Sequence, residues 1–288
     1  MKSCPGAESK DAGKADACKG CPNANICANT KPDSDIPFLK NKYNGFKHKI
    51  SVMCGKGGVG KSFLSFVIAK FLSESSKVLL LDLDITGPTI PQLTNTQNRV
   101  IENVFEEFSP ITQGSLGIVS SGYFWPLIED NIEEVNKNAI LKAVLKNCRT
   151  EEYDILVVDT PPNITDEHLA IFSYMEQVQS ILITTPQTLS FIDFTRQMSF
   201  CKKAKIQILG VVENMKGIKC NKCNFVNSLS KSKNIQTFCI ENKLCFLGSL
   251  DLLRKELPQI DKGTFVFAEE LVDLKKKIFI RLKKDPNV

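Results

Sequence analysis

From Lys49 onward the chain alternates short apolar runs with longer amphipathic ones. The runs "KISVMC" (49–54), "KVLLLDLD" (77–84), "YDILVVDT" (153–160), "VQSILITT" (178–185) and "IQILGVVEN" (206–214) are of strand length and rich in Val, Ile and Leu. Between them, residues 62–73, 134–148 and 190–204 carry apolar side chains at helical spacing. Strands that are apolar on both faces and separated by helices predict a parallel sheet covered on both sides. The expected fold class is therefore α/β, a doubly wound and mostly parallel sheet. Beyond Lys216 the pattern breaks into "GIKCNKCNFVNS" before helical spacing resumes. "CFLGSL" (245–250) then reads as a buried strand, and a basic amphipathic helix over roughly 269–284 ends the chain. There is no internal repeat.

Residues 1–35 have another texture: small and polar, almost free of large apolar groups, and punctuated by Cys4, Cys18, Cys21 and Cys27. Such a segment cannot offset its ordering entropy by burial, so it is either a loose tail or folded around a bound ion. The expected division is 1–35 as a metal-binding segment and 36–288 as the globular domain.

With 288 residues, 42% of them hydrophobic, the chain can bury a substantial core. No apolar run approaches the roughly 18–20 residues that cross a bilayer, and "MKSCPGAESKDAGK" lacks the apolar centre of a signal peptide. The expectation is a cytoplasmic chain with no membrane partner. In that reducing setting its eleven cysteines are metal ligands or small buried side chains rather than a disulfide framework. A net charge of +5, with the lysines scattered, is not the concentrated basic face of a nucleic-acid binder, so no direct nucleic-acid contact is expected.

The stretch "CGKGGVGKSFLSFVIAKF" (54–71) carries the sharpest chemistry. Gly55, Gly60, Lys61 and Ser62 fill G-x-x-x-x-G-K-[ST] between a strand and a helix, the context in which that spacing makes a phosphate-binding loop. The backbone of Gly55, Lys56, Gly57, Gly58, Val59 and Gly60 is expected to aim amides at phosphate oxygens, aided by the helix N-terminus. Lys61 then reaches the β and γ phosphates of ATP, and the Ser62 hydroxyl ligates Mg2+. Supporting acids belong at the carboxyl ends of neighbouring strands. Asp82, Asp84 and Asp159 fit: Asp159 holding Mg2+ through water, Asp82 on the metal side, and Asp84 orienting the attacking water.

Lys56 is one cation more than this loop needs. Phosphoryl transfer rests on positioning and on neutralising charge, and a cation supplied in trans accelerates it by orders of magnitude. At the head of the loop Lys56 is awkwardly placed for its own γ-phosphate, but can reach one held by a facing copy of the chain.

The cysteines form two groups. Cys4, Cys18, Cys21 and Cys27 are spaced C-x13-C-x2-C-x5-C, enough thiolates for a cubane iron–sulfur cluster or a tetrahedral zinc ion. Cys220 and Cys223 form a separate C-x2-C, half of what a four-iron cluster needs. In a symmetric dimer the other half comes from the second chain. A rival reading adds Cys239 and Cys245 to make a zinc ribbon within one chain. Against it, Cys239 falls in a helical pattern and Cys245 opens a buried strand. Cys54, Cys148 and Cys201 read as fillers.

On these residues the chain resembles a known family. "GKGGVGKS" looks like the deviant Walker A motif of dimeric ATPases that include the nitrogenase iron protein and the septum-positioning and arsenite-pump ATPases. "DLDITGPT", "DTPPNITDEHL", "GVVENM" with the downstream C-x2-C, "FLGS" and the N-terminal cysteine spacing are similar to the eukaryotic cytosolic iron–sulfur scaffold ATPases of the Mrp/NBP family, of the type with its own N-terminal cluster. The resemblance implies that Lys56 crosses a dimer interface and that Asn214 contacts the adenine. It further implies a labile bridging 4Fe-4S cluster on Cys220 and Cys223, and a more stable one on Cys4, Cys18, Cys21 and Cys27. The implied function is slow, ATP-linked assembly of clusters and their transfer to carriers and to cytosolic and nuclear apoproteins. The chain would act as a homodimer or with a partner scaffold lacking the N-terminal cysteines. There are departures: Asn163 stands where the family has glycine after "DTPP", Asn221 and Lys222 replace the family's proline-containing spacer, and residues 122–132 lack an arginine-containing stretch. Two alternatives stay open, a partitioning or positioning switch of the same ATPase clan, using the C-terminal helix on a membrane, and a zinc-stabilised ATPase without redox cofactor.

Overall fold

The apolar runs become β1 (His48–Cys54), β2 (Val78–Asp82), β5 (Ile155–Asp159), β6 (Gln179–Thr184) and β7 (Gln207–Glu213). With β3 (Ile111–Gln113), β4 (Leu116–Ser120) and β10 (Phe246–Ser249) they form one eight-stranded sheet, ordered β10-β7-β6-β1-β5-β2-β4-β3. This computed structural model describes residues 14–16, 19, 33–85, 87–124, 137–220, 222–223, 225–229, 234–252 and 270–283. Cys4, Cys18, Cys21 and Cys27 lie outside the described residues, as do Asn221 and most of 122–132.

Every neighbouring pair in the sheet is parallel except β3 with β4. The fold is the mostly parallel, doubly wound α/β sheet expected. Strands β2, β4, β5 and β6 are buried along their whole length, which is why they show no polar alternation. Helix α2 (Lys61–Leu72) packs on β1, β2 and β5, while α6 (Thr188–Lys203) packs on β6, β1 and β7. The other α-helices among the described residues are α1 (Ile36–Asn44), α3 (Ile90–Leu93), α4 (Lys137–Asn147), α5 (Asp166–Tyr174), α7 (Ile235–Glu241) and α8 (Glu270–Lys283). Short runs hid α1, α5 and the antiparallel β3–β4 edge from the sequence pattern.

A clasp of ion pairs and a hydrogen bond ties residues 33–35 to α4 and α5. Lys142 of α4 bridges Asp33 and Asp35, and Lys146 pairs with Asp35 at 3.0 Å. Tyr174, ending α5, donates to Asp33 at 3.2 Å. The basic C-terminal helix α8 buries Leu271, Leu274, Ile278 and Leu282 in the main core. Each such side chain contributes about 1.5–3 kcal/mol on burial, so this apolar face is committed to the domain and is not free to enter a membrane.

Candidate nucleotide loop and cysteine hairpin

The loop after β1 enters α2 with Gly60 as its N-cap and no side-chain cap on the helix amides. Those first-turn amides have no intrahelical acceptor and carry the helix's partial positive charge. Two glycines are forced by their surroundings. A Cβ on Gly55 would stand 2.5 Å from the backbone carbonyl of Asp193 in α6. Gly60 has φ +83, and a Cβ there would stand 2.3 Å from the Asn214 side-chain amide. That amide donates to the Val59 carbonyl at 2.8 Å, while the Asn214 backbone N–H donates to Thr184 at 2.8 Å. Asn214 therefore braces the back of the loop from the end of β7. Its side-chain oxygen and second amide N–H are what it has left to offer a base.

The sheet register brings the acids together. Asp82 and Asp159 are Cα partners at the ends of β2 and β5. Lys61, 6% exposed, donates to Asp159 Oδ1 at 2.6 Å, and Ser65, one turn along α2, donates to the same oxygen at 2.7 Å. Burial alone would depress the Lys61 ammonium, but the Asp159 charge and hydrogen bond hold its pKa above the ordinary value. Asp82 accepts from Ser120 Oγ at 2.8 Å and from the Asp84 and Ile90 amides. Burial, then the neighbouring Asp159 charge, pushes Asp82 up to about 7.

Asp159 Oδ2 is buried without a hydrogen-bond partner among the described residues. An orphaned carboxylate oxygen beside a second buried carboxylate suits a hydrated divalent cation, because the cation's charge and its water would satisfy both. Ser62, whose Oγ accepts from Lys61 at 3.3 Å, completes the donors expected for Mg2+. Gly57, Gly58, Lys61, Ser62, Asp84 and Pro162 line a cleft of about 330 Å3 above them. Asp84 is half-buried at its rim. Lys56 is half-buried, and its ammonium makes no hydrogen bond or ion pair with the described residues.

The chain after β5 turns through Asn163, whose φ is +65 and whose N–H donates to the Cys54 carbonyl at 3.1 Å. The departure from glycine at this position thus has a physical account. The backbone is left-handed there, and asparagine tolerates that better than other side chains. The following helix α5 starts with a reciprocal cap: Thr165 is the N-cap, and its N–H and hydroxyl meet His168 Nδ1 at 3.3 and 3.1 Å. His168 is fully buried, its Nε2 is without a partner among the described residues, and burial lowers it to about 4. Sequence reasoning passed over both Ser65 and His168. Ser65 was marked only by its i+4 position from Lys61, and His168 by T-x-x-H in place of T-x-x-E.

The broken segment after Lys216 is a two-stranded hairpin, β8 (Gly217–Lys219) with β9 (Val226–Ser228). Cys220 and Cys223 sit in its turn, half-buried and exposed, and the Cys220 N–H donates to the Phe225 carbonyl at 2.8 Å. Amides of Cys223 and Lys222, then the Cys223 thiol, hydrogen-bond to the Cys220 sulfur and hold its pKa below the ordinary thiol value. A sulfur that collects two backbone amides is prepared as a thiolate ligand. Among the described residues, no three His, Cys, Asp or Glu side chains gather as a metal site. Cys239, buried in α7, packs with Met53, Leu182, Phe194, Val211 and Ile235 instead of joining the hairpin pair. Cys54, Cys148 and Cys201 are likewise buried.

The profile of a family described as ParA, NUBPL iron-transfer P-loop NTPase, matches residues 45–285. Among solved structures, a nucleotide-binding protein from Archaeoglobus fulgidus in complex with ADP shares 23% identity at a TM-score of 0.65, over 81% of this chain and 97% of that one. The septum site-determining protein MinD from Pyrococcus horikoshii, complexed with Mg-ADP, shares 18% at 0.58, over 83% and 96%. A plasmid partition protein from Borrelia burgdorferi shares 20% at 0.55, over 82% and 99%. At such identities these likenesses speak for the P-loop ATPase fold alone.

Proposed function

The chain belongs to the ParA family of NUBPL iron-transfer P-loop NTPases, and on that premise we propose that it is a cytoplasmic, ATP-dependent scaffold of eukaryotic type. It assembles 4Fe-4S clusters and passes them through carriers to cytosolic and nuclear apoproteins. Nucleotide binds over residues 55–62 with Asn214 near the base, and Ser62, Asp82 and Asp159 hold Mg2+. When bound, Mg2+ supplies neutralisation of the β and γ phosphates. In the structure Lys61 is paired with Asp159, and ATP binding moves that ammonium from the carboxylate to the phosphates. Asp84 orients the water that attacks the γ-phosphorus, yielding ADP and phosphate slowly. Lys56, uncommitted among the described residues, serves the phosphate of a second copy or of a partner scaffold lacking the N-terminal cysteines.

The observation that carries this reading is the physical continuity between loop and hairpin. Asn214, bonded to Val59 of the loop, precedes Cys220 by six positions along the chain. A change in the loop's backbone therefore acts on the root of the hairpin. Two thiolates per chain make half a cluster site, so a facing pair holds one cluster between them. Nucleotide state biases that shared site only through such differential contacts. Cys4, Cys18, Cys21 and Cys27 form the ligand set of a separate, more stable cluster within residues 1–35, ahead of the ATPase domain of residues 36–288.

The test is anaerobic purification with iron, sulfide and zinc analysis of the wild type and of the Cys220→Ser/Cys223→Ser variant. The expected variant loses one cluster's iron per pair of chains and keeps the N-terminal iron. Unchanged iron in the variant, or zinc alone in the wild type, overturns the reading.

A further inference from the structure

At the opposite end of β1 from the nucleotide loop, the chain buries a lysine that makes no ion pair with the described residues. Lys49 is 4% exposed, and its ammonium has one acceptor among the described residues, the Tyr43 carbonyl at 3.4 Å. The carboxylate acting on it is Glu176, which is itself ion-paired with Lys40 at 2.8 Å. Lysine is almost never buried this deeply unless paired, because desolvating the charge is strongly unfavourable. Burial accordingly depresses its pKa.

Lys49 also lines a cavity of about 250 Å3 with Asn44, Lys47, Gln177, Gln179 and Gln207. The register explains the gathering of amides. Gln179 pairs with Ile50 on one side and with Gln207 on the other, so β6 and β7 bring carboxamides side by side at the foot of β1. Gln177, in the turn before β6, keeps its side chain despite a φ of +57. The cavity's cations are Lys49 and Lys47, the latter paired with Asp154 at 2.7 Å, with His48 beside them, and no acid lines it. Gly55 lies six residue steps along the chain from Lys49, roughly 20 Å of strand, so this is not part of the nucleotide cleft.

We propose that this cavity binds a small oxyanion, a phosphate- or carboxylate-bearing molecule. One anionic oxygen pairs with the Lys49 ammonium, and the Gln177, Gln179 and Gln207 amides donate to the others. The geometry calls for a ligand with several acceptor oxygens.

The experiment compares wild type with Lys49→Met, which keeps the side chain's length and removes its charge. Thermal denaturation and calorimetric titration are run with inorganic phosphate and, separately, with succinate. The wild type should be stabilised by one or both anions, and Lys49→Met should bind that anion about tenfold or more weakly. Without anion, Lys49→Met should melt no lower than wild type, because an unpaired buried charge has been removed. The difference between the two proteins is independent of any anion captured by residues 55–62, and so of the function proposed above. An equal anion response in both proteins, or none in the wild type, overturns the proposal. So does a variant that melts lower yet keeps the response, since Lys49 would then be only a donor to Tyr43. Phosphate alone, or succinate alone, as the effective anion identifies the source of the oxyanion.

Discussion

Neutralising one member of the Lys61–Asp159 pair should be far more damaging than neutralising both. Lys61 is 6% exposed and Asp159 fully buried, with 2.6 Å between their atoms. Asp159→Asn keeps the shape and an acceptor for Ser65, but strands a buried ammonium. Removing one partner of a buried pair costs about 3–5 kcal/mol, and adjacent Asp82, which ionises more readily once Asp159 is neutral, places the expectation near the lower end of that range. Lys61→Met strands two buried carboxylates and should cost a similar amount at neutral pH. The double variant leaves Ser65 its acceptor and no unpaired charge from the pair, so it should lie within about 1 kcal/mol of wild type. The cycle thus predicts non-additivity of several kcal/mol, where independent sites add to within about 0.5 kcal/mol. Urea denaturation measures it: with a slope near 3 kcal/mol/M, each single variant should shift its midpoint by about 1 M. Single variants within about 1 kcal/mol of wild type and additive in the double would refute the reasoning. Lys61 would then not be holding its charge against Asp159, and the transfer of that ammonium to phosphate would lose its starting point.

Other outcomes follow from single residues. His168 titrates near 4 when folded and near 6.5 when unfolded. The unfolded state therefore binds the extra proton first, and stability is lost as pH falls from about 6.5 to about 4, by roughly 3 kcal/mol. His168→Gln should flatten that part of the stability–pH curve. Asp82, raised in the fold, acts in the opposite sense over much of the window, but identically in both proteins. An unchanged slope counts against the buried, neutral imidazole. Asn163→Gly should be neutral to stabilising by up to about 1 kcal/mol and Asn163→Val destabilising by about 1–2 kcal/mol in thermal melts; a valine variant as stable as wild type would show that the backbone there is not left-handed. Gly60→Ala should lose measurable ADP binding by calorimetry, since its Cβ displaces the Asn214 amide from Val59, and full affinity would dissociate Asn214 from the loop's shape.

The strands that were easiest to read were those whose physics is local. β1, β2, β5, β6 and β7 are buried along most or all of their length, so each carries a dense apolar stretch with few polar positions, and the loop before α2 is signalled by its glycines. The described residues Glu270–Lys283 are helical throughout, and this C-terminal helix was legible from its apolar stripe. Helices α1 and α5 were not, because each is nine residues long and α5 begins inside a motif that reads as a turn. The broken cysteine segment gave no periodicity because each of its paired strands is three residues long.

Residue types and spacings alone therefore determined the parallel α/β class, the phosphate loop, the candidate acids and the C-x2-C pair, since each depends on local covalent and steric requirements. Tertiary structure decided the rest. Strand order and register place Asp82 against Asp159, Lys61 on one of the two, and Asn214 behind the loop, across separations in sequence that no local pattern encodes. The same packing decides that the apolar stripe of α8 is covered by the core and that Lys49 lies buried with no ion pair among the described residues. Both are facts about which surfaces meet, and a one-dimensional pattern records only that a surface is there to be covered.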